Sequence, residues 1–186
     1  VEGSLERITI EYRGEMTAHA TSPLTSAVLK GVMETFAEEG SVNLVNAPVV
    51  AQERGIRVDE VKSSDPEDYA SLLTVILQAG GQRRVLSGTL FGRSDPRIVR
   101  FDQYDLDAVP DGNMLFYIND DIPGIIGRVG STMGSHKVNI ARMSCGRHQV
   151  GGKALTVLNV DSHMSPAVLN EILQDPNISW ARQVAL

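Results

Sequence analysis

The chain has 186 residues, 42% hydrophobic, 22% charged and 5% aromatic, which suits one or two globular domains and excludes a disordered or collagen-like chain. Its 17 Lys and Arg against 23 Asp and Glu leave a net charge of −6, which argues against a general grip on nucleic-acid phosphates or on an acidic membrane surface. The single cysteine, Cys145, leaves no internal disulfide and no paired-Cys zinc site, so a reducing cytoplasm is the expected location. Apolar runs such as residues 72–77 fall far short of the roughly 20 residues of a membrane helix, and no charged start precedes an apolar stretch. A chain neither exported nor embedded is expected. Val1 in place of Met hints at a piece cut from something longer.

The first predicted element is a strand over residues 5–12, with Leu5, Ile8 or Ile10 and Tyr12 as its apolar positions. Pro23 marks the first turn of a helix that carries Leu24, Val28, Val32 and Phe36 at helical spacing as far as Gly40. Residues 46–53, enclosing Pro48, form a second short helix stopped by Gly55. Strands follow at 56–62, 70–78, 83–91 and 97–101, so this part is helices followed by a mainly antiparallel sheet, an α+β layer pair.

Residues 103–113 carry three Asp, a Pro and a Gly, as a connection would, and place a domain boundary between 108 and 109. Residues 1–112 hold 11 basic and 18 acidic groups, and residues 113–186 hold 6 and 5, so the acidity belongs to the first half. Beyond the boundary, residues 114–118 read as a strand. An amphipathic helix spans 122–135, with Ile125, Ile126, Val129 and Met133 apolar and Asp121 near its N-cap. A hairpin of strands 138–144 and 154–160 encloses a polar turn, a second helix starts at Ser165-Pro166, and residues 177–184 close as a strand. The order β-α-β-β-α-β is that of the ferredoxin-like fold.

No Gly-x-Gly-x-x-Gly and no Gly-x-x-x-x-Gly-Lys is present, so neither dinucleotide nor triphosphate cradling is signalled. His19, His136, His148 and His163 are scattered without metal-ligand spacing, and Cys145 reads as a packed small hydrophobe. No catalytic residue and no metal site are assigned. The sharpest local feature is Asn119-Asp120-Asp121-Ile122-Pro123-Gly124, which opens a helix. A helix N-terminus offers N–H groups and a positive dipole end to a ligand carboxylate, and Gly124 allows close approach. Asp121 can accept an ammonium, and the Asn139 amide can both donate and accept. The plain alternative is that Asp121 only caps the helix and Asn139 only starts a strand. Arg83, Arg84, Arg93, Arg97 and Arg100 form a second candidate, suited to a phosphate or carboxylate. Its plain alternative is a solvated sheet edge that uses Arg against aggregation.

The run from Asn119 to Gly130 and through Val138-Asn139-Ile140-Ala141 resembles an ACT domain, a small regulatory module that binds amino acids. Upstream, the runs Val42 to Pro48, Glu53-Arg54-Gly55-Ile56 and Ser87 to Gly92 resemble the intervening domain of long-form D-3-phosphoglycerate dehydrogenases. The resemblance implies an intervening domain over 1–108 and an ACT domain over 109–186. It further implies the regulatory region of an NAD-dependent enzyme that begins L-serine biosynthesis, with NAD and the catalytic residues in a region not contained here. L-serine would bind between paired ACT domains of a homo-oligomer, through Asn119, Asp121 and Asn139 with backbone help near Pro123 and Gly124, and inhibit. The five Arg would be an anion or substrate effector site. The regulatory subunit of an iron–sulfur L-serine dehydratase and a stand-alone amino-acid sensor are the alternatives.

Overall fold

The computed structural model describes residues 3–38 and 40–186, which divide into two compact units, Val1–Leu90 and Phe91–Leu186. In the first unit β1 (Leu5–Gly14) is flanked by α1 (Ser22–Glu34) and α2 (Ala47–Glu53) in sequence, then by β2 (Arg57–Ser63), β3 (Ser71–Ala79) and β4 (Gln82–Phe91). β1 pairs parallel with β2 and antiparallel with β3, and β4 runs antiparallel to β3. Leu5, Ile8, Ile10 and Tyr12 are all buried. Strict alternation cannot put residue 5 on the face of 8, 10 and 12, and a register shift between Leu5 and Arg7 in the pairing with β3 resolves the parity.

The buried face of α1 is Thr25, Leu29 and Met33, with Val28 and Val32 only flanking it, while Leu24 and Phe36 stay exposed. The apolar spacing therefore pointed about one residue off. The buried Tyr12 hydroxyl draws Thr25 inward through a 2.7 Å hydrogen bond. α1 ends at Glu34, short of the expected Gly40, and residue 39 of that expected helix lies outside the described residues. α2 matches its expected span: the Asn43 side chain accepts from Val45 and Asn46 N–H ahead of it, and the Ile56 N–H returns to the Ala51 carbonyl behind it.

The second unit holds a hairpin, β5 (Asp95–Phe101) and β6 (Tyr104–Ala108), and then β7 (Asn113–Asp120), α3 (Ile125–Ser135), β8 (Ile140–Arg147), β9 (Lys153–Val160), α4 (Pro166–Leu173) and β10 (Ile178–Ala185). The last six elements form the expected β-α-β-β-α-β unit, with an antiparallel sheet of order β10-β7-β9-β8. One sheet face packs Leu115, Tyr117 and Leu158 against Ile125, Val129 and Met133 of α3 and Val168 and Ile172 of α4. The other face packs Met114, Phe116, Leu155 and Val157 beneath Tyr104, Leu106 and Ala108 of β6.

Reading 103–113 as a connection is thus corrected: Tyr104–Ala108 is a strand. Its Asp residues mark the solvent face of an alternating pattern, because Tyr104, Leu106 and Ala108 are buried while Asp105 and Asp107 are exposed. The compact units divide at Leu90, because the apolar face of that hairpin packs within the second unit.

β6 crosses the face of β8 so closely that a side chain at Gly146 would lie 2.1 Å from the Asp105 carbonyl oxygen. The Asp107 N–H donates to the Ser144 hydroxyl alongside. Gly146→Ala should therefore displace backbone and lower stability by about 1–3 kcal/mol. Gly134→Ala, in open space at the end of α3, should be neutral or raise it by up to about 1 kcal/mol. Thermal unfolding of the two variants checks the contrast, and equal behaviour would contradict the close crossing.

Candidate functional site

β7 delivers Asn119 and Asp120 to one end of the sheet, and the chain then turns through residues 121–124 into α3. Asn119 is buried; its amide donates to the Asp120 carbonyl at 2.7 Å, and its oxygen accepts from Thr156 at 3.4 Å. Asp121 Oδ2 accepts from the Arg147 guanidinium at 2.9 Å and from the Gly151 N–H at 3.2 Å, while the Asp121 N–H donates to the Gly152 carbonyl at 2.8 Å. These bonds clasp the 121–124 loop to the β8–β9 turn. Beside them Lys153 pairs with Asp120 at 2.7 Å. The hydrogen bond from Arg147, followed by that from Gly151, holds the Asp121 carboxyl below its usual range.

Asp121 does not cap α3. The helix begins at Ile125, three residues later than expected, with Gly124 as its N-cap at φ +95° and no side-chain cap. That conformation suits glycine, and an added Cβ would also lie 3.1 Å from the Arg128 guanidinium. Pro123 and Gly124 are exposed at this end.

The structure does not bring Asn139 to Asn119 and Asp121. Asn119 and Arg147 both face Ala154 across β9, whereas Ile140 and Asn113 both face Val160. Six residues of strand separate the two ends, roughly 20 Å. Asn139 instead donates to Asp161 at 2.8 Å. β8 has no strand partner beyond β9 among the described residues, and Met143 on it is exposed.

Between α3 and α4 lies a cleft of about 600 Å³ lined by Gly124, Arg128, Thr132, Glu171 and Asp175. The Arg128–Asp175 ion pair joins two of its lining residues, and the lining residue Glu171 hydrogen-bonds His136 at 2.7 Å. The Asn177 N–H and then Arg128 hold the Asp175 carboxyl below its usual range, and the hydrogen bond with His136 does the same for Glu171.

Of the arginines, Arg97 pairs with Asp107 at 3.1 Å and stacks over Phe91, and Arg100 pairs with Asp105 at 3.4 Å. Their charge is met by acids of their own hairpin. Arg83 and Arg84 are neighbours on β4 and so point to opposite faces.

Sequence reasoning missed Arg147, Gly151 and Thr156 as neighbours of the site. They lie 26 to 37 residues from their partners, and only the strand register brings them together. That register was within reach once residues 138–160 had been recognised as a hairpin.

The second unit is thus a four-stranded antiparallel sheet with two helices on one face, a hairpin on the other and a clasped turn leading into α3. In comparison with known proteins, residues 114–177 match the ACT domain, and residues 1–102 match the D-3-phosphoglycerate dehydrogenase intervening domain. The chain belongs to the D-3-phosphoglycerate dehydrogenase family, as its intervening domain followed by an ACT domain. It is 37% identical to the D-3-phosphoglycerate dehydrogenase of Archaeoglobus fulgidus, over 99% of this chain and 35% of that one. It is 36% identical to that of Synechocystis sp., over 99% and 33%, and 32% identical to that of Bacillus subtilis, over 98% and 34%. The chain spans about a third of the length of these relatives. Among the described residues, no helix is long and apolar enough to cross a membrane.

The Asp121 clasp has a definite pH signature. A carboxyl whose folded-state pKa is lowered stabilises the fold above its unfolded value, here 3.8, and loses that contribution as pH falls through the lower folded value. Asp121→Asn should be less stable than the parent at neutral pH, and the two unfolding midpoints should converge below pH 3.8. A gap that persists at acid pH would mean the carboxylate is not what holds the turn.

Proposed function

We propose that this chain is the regulatory region of a D-3-phosphoglycerate dehydrogenase and that L-serine, the end product of the pathway that enzyme opens, binds at a seam between two ACT domains. The single observation that carries the proposal is the position of Asn139 at the far end of an unpaired edge strand from Asn119 and Asp121. Two-fold antiparallel pairing of β8 with its copy, centred on Ser144, sets Ile140 opposite the copy's Arg147 once the register shift between Ile140 and Arg142 is counted. Asn139 of one protomer then stands beside the Asp121–Arg147 clasp of the other. A site split within one domain becomes whole twice over in a homodimer.

In that seam Asn119 and Asp121 hold the ligand's ammonium. The Arg147 and Gly151 bonds to the Asp121 carboxylate both fall on Oδ2, so Oδ1 is the oxygen that meets the ligand on this reading. Asn139 and the backbone at Pro123 and Gly124 take the carboxylate and hydroxyl. The functional domains on this reading are 1–108 and 109–186, and the protein acts in the cytoplasm. NAD belongs to a catalytic region outside the matched third of the relatives, since the residues present offer no Gly-x-Gly-x-x-Gly cradle. Serine in the seam biases how two protomers sit, a coupling typically worth about 1–3 kcal/mol. The match to the intervening domain favours this reading over the regulatory subunit of a serine dehydratase.

Calorimetric titration with L-serine, with D-serine and glycine as controls, should give one site per chain, lost in Asp121→Ala and in Asn139→Ala. Mixing the two variants is the decisive arm. In a heterodimer one seam site carries both substitutions and the other neither, so random mixing should recover about a quarter of the parent's sites. No recovery, with both variants folded, would place the contacts within one protomer and overturn the split site.

A further inference from the structure

The first unit contains a cleft of about 430 Å³ over α1, α2 and β2 that neither the effector site nor the arginine cluster uses. Leu29, Pro48, Ile56 and Val58 form its apolar wall, and Ser22, Ser26 and Gln52 add hydroxyl and amide groups. Glu60 is the charged residue among its described lining residues.

The Glu60 carboxylate is held from behind. Thr25 Oγ1 lies 2.8 Å from Glu60 Oε1 and 2.7 Å from the hydroxyl of fully buried Tyr12. A threonine hydroxyl has one proton, so donating it to the carboxylate makes Tyr12 the donor to Thr25. The result is a directed chain, Tyr12 to Thr25 to Glu60, that fixes a negative oxygen at the cleft. Glu60 Oε2 has looser company: the Thr21 hydroxyl at 3.5 Å and the Lys62 ammonium at 4.0 Å. The protein's own alkylammonium thus stands near that oxygen without closing on it. The field of this unit favours the same sign of ligand, since residues 1–90 carry 8 Lys and Arg against 13 Asp and Glu.

We propose that this cleft binds a small primary alkylammonium compound. Its head group donates to Glu60 Oε2 and to the hydroxyl and amide oxygens of Ser22, Ser26 and Gln52, and its hydrocarbon stem lies on Leu29, Pro48, Ile56 and Val58. The pairing is charge-assisted and half-shielded from solvent, the setting in which one carboxylate gives useful affinity. The ligand competes with Lys62 for the same oxygen.

The test is a two-dimensional NMR titration of the whole chain with n-butylammonium chloride, against sodium chloride at matched ionic strength. Saturable shifts should map to the Thr25, Gln52 and Glu60 amides and be absent with sodium. Glu60→Gln retains an acceptor for Thr25 and should weaken binding about tenfold or more, the cost of a lost charge-assisted hydrogen bond. Lys62→Met removes the competitor from an exposed position and should tighten binding, which keeps the test open if the Glu60 variant is poorly folded. Shifts reproduced by sodium chloride, shifts that ignore Glu60→Gln, or weaker binding in Lys62→Met would each overturn the proposal.

Discussion

Asn119 and Arg147 meet the same residue, Ala154, from opposite sides of β9, and this shared register organises the clasped end of the ACT domain. It sets the guanidinium of an edge strand within 2.9 Å of a carboxylate that follows a central one. It ties the loop before α3 to the β8–β9 turn through three hydrogen bonds. It also sends Asn139 to the other end of the sheet. A one-residue slip would invert every side chain of β8, turning Arg147 away from Asp121 and Gly146 away from β6. The register is therefore specified twice, by an ion pair on the helix side and by a close backbone crossing on the hairpin side.

That crossing gives the sheet two buried faces. An isolated β-α-β-β-α-β unit covers one face with its helices and leaves the other to solvent, and its strands then alternate. Here β7 and β9 carry nearly continuous buried runs, because the β5–β6 hairpin covers the second face and Phe101 packs its ring near Phe116 and Trp180. The edge strand β8 is fixed on both faces, while among the described residues no strand pairs with its outer edge. A rigid edge with unpaired N–H and C=O groups is a template for a second strand, and the pairing proposed above uses it.

How much of this was legible in the sequence depended on distance along the chain. The runs Met114 to Ile118 and Ala154 to Val160 identified strands and a hairpin because their signal is local, and Pro23, Pro48 and Pro166 fixed helix starts for the same reason. Local reasoning failed where tertiary contacts decided the outcome. Asp105 and Asp107 looked like turn residues and are the wet face of a strand whose dry face needs a sheet 10 residues away to be recognised. α1 turned its Thr25 inward because a buried tyrosine on β1 needed a hydrogen-bond partner, a demand that hydrophobic spacing does not record. Asp121 looked like a cap, since Asp before a helix is commonly one, but a guanidinium from β8 competes more strongly than the helix N–H groups do. Glu60 passed as one more surface acid in an acidic half, and only the fold puts Thr21, Thr25 and Lys62 around it.

A clasp that already satisfies one oxygen of Asp121 also bears on how a ligand as small as serine could act between protomers. A ligand shifts an equilibrium only by its differential affinity for the two states. If every contact lay within one domain, serine would bind paired and unpaired domains alike and shift nothing. On the proposed pairing Asn139 comes from the second protomer, so part of the binding energy exists only in the paired arrangement and becomes coupling. The clasp keeps the first protomer's share preorganised: Arg147 and Gly151 hold the carboxylate in place before the ligand arrives, and less ordering is charged against binding. On the proposed pairing the division of labour follows from geometry: one end of β8, clasped to the 121–124 loop, receives the ligand, and the other end brings Asn139 to the partner.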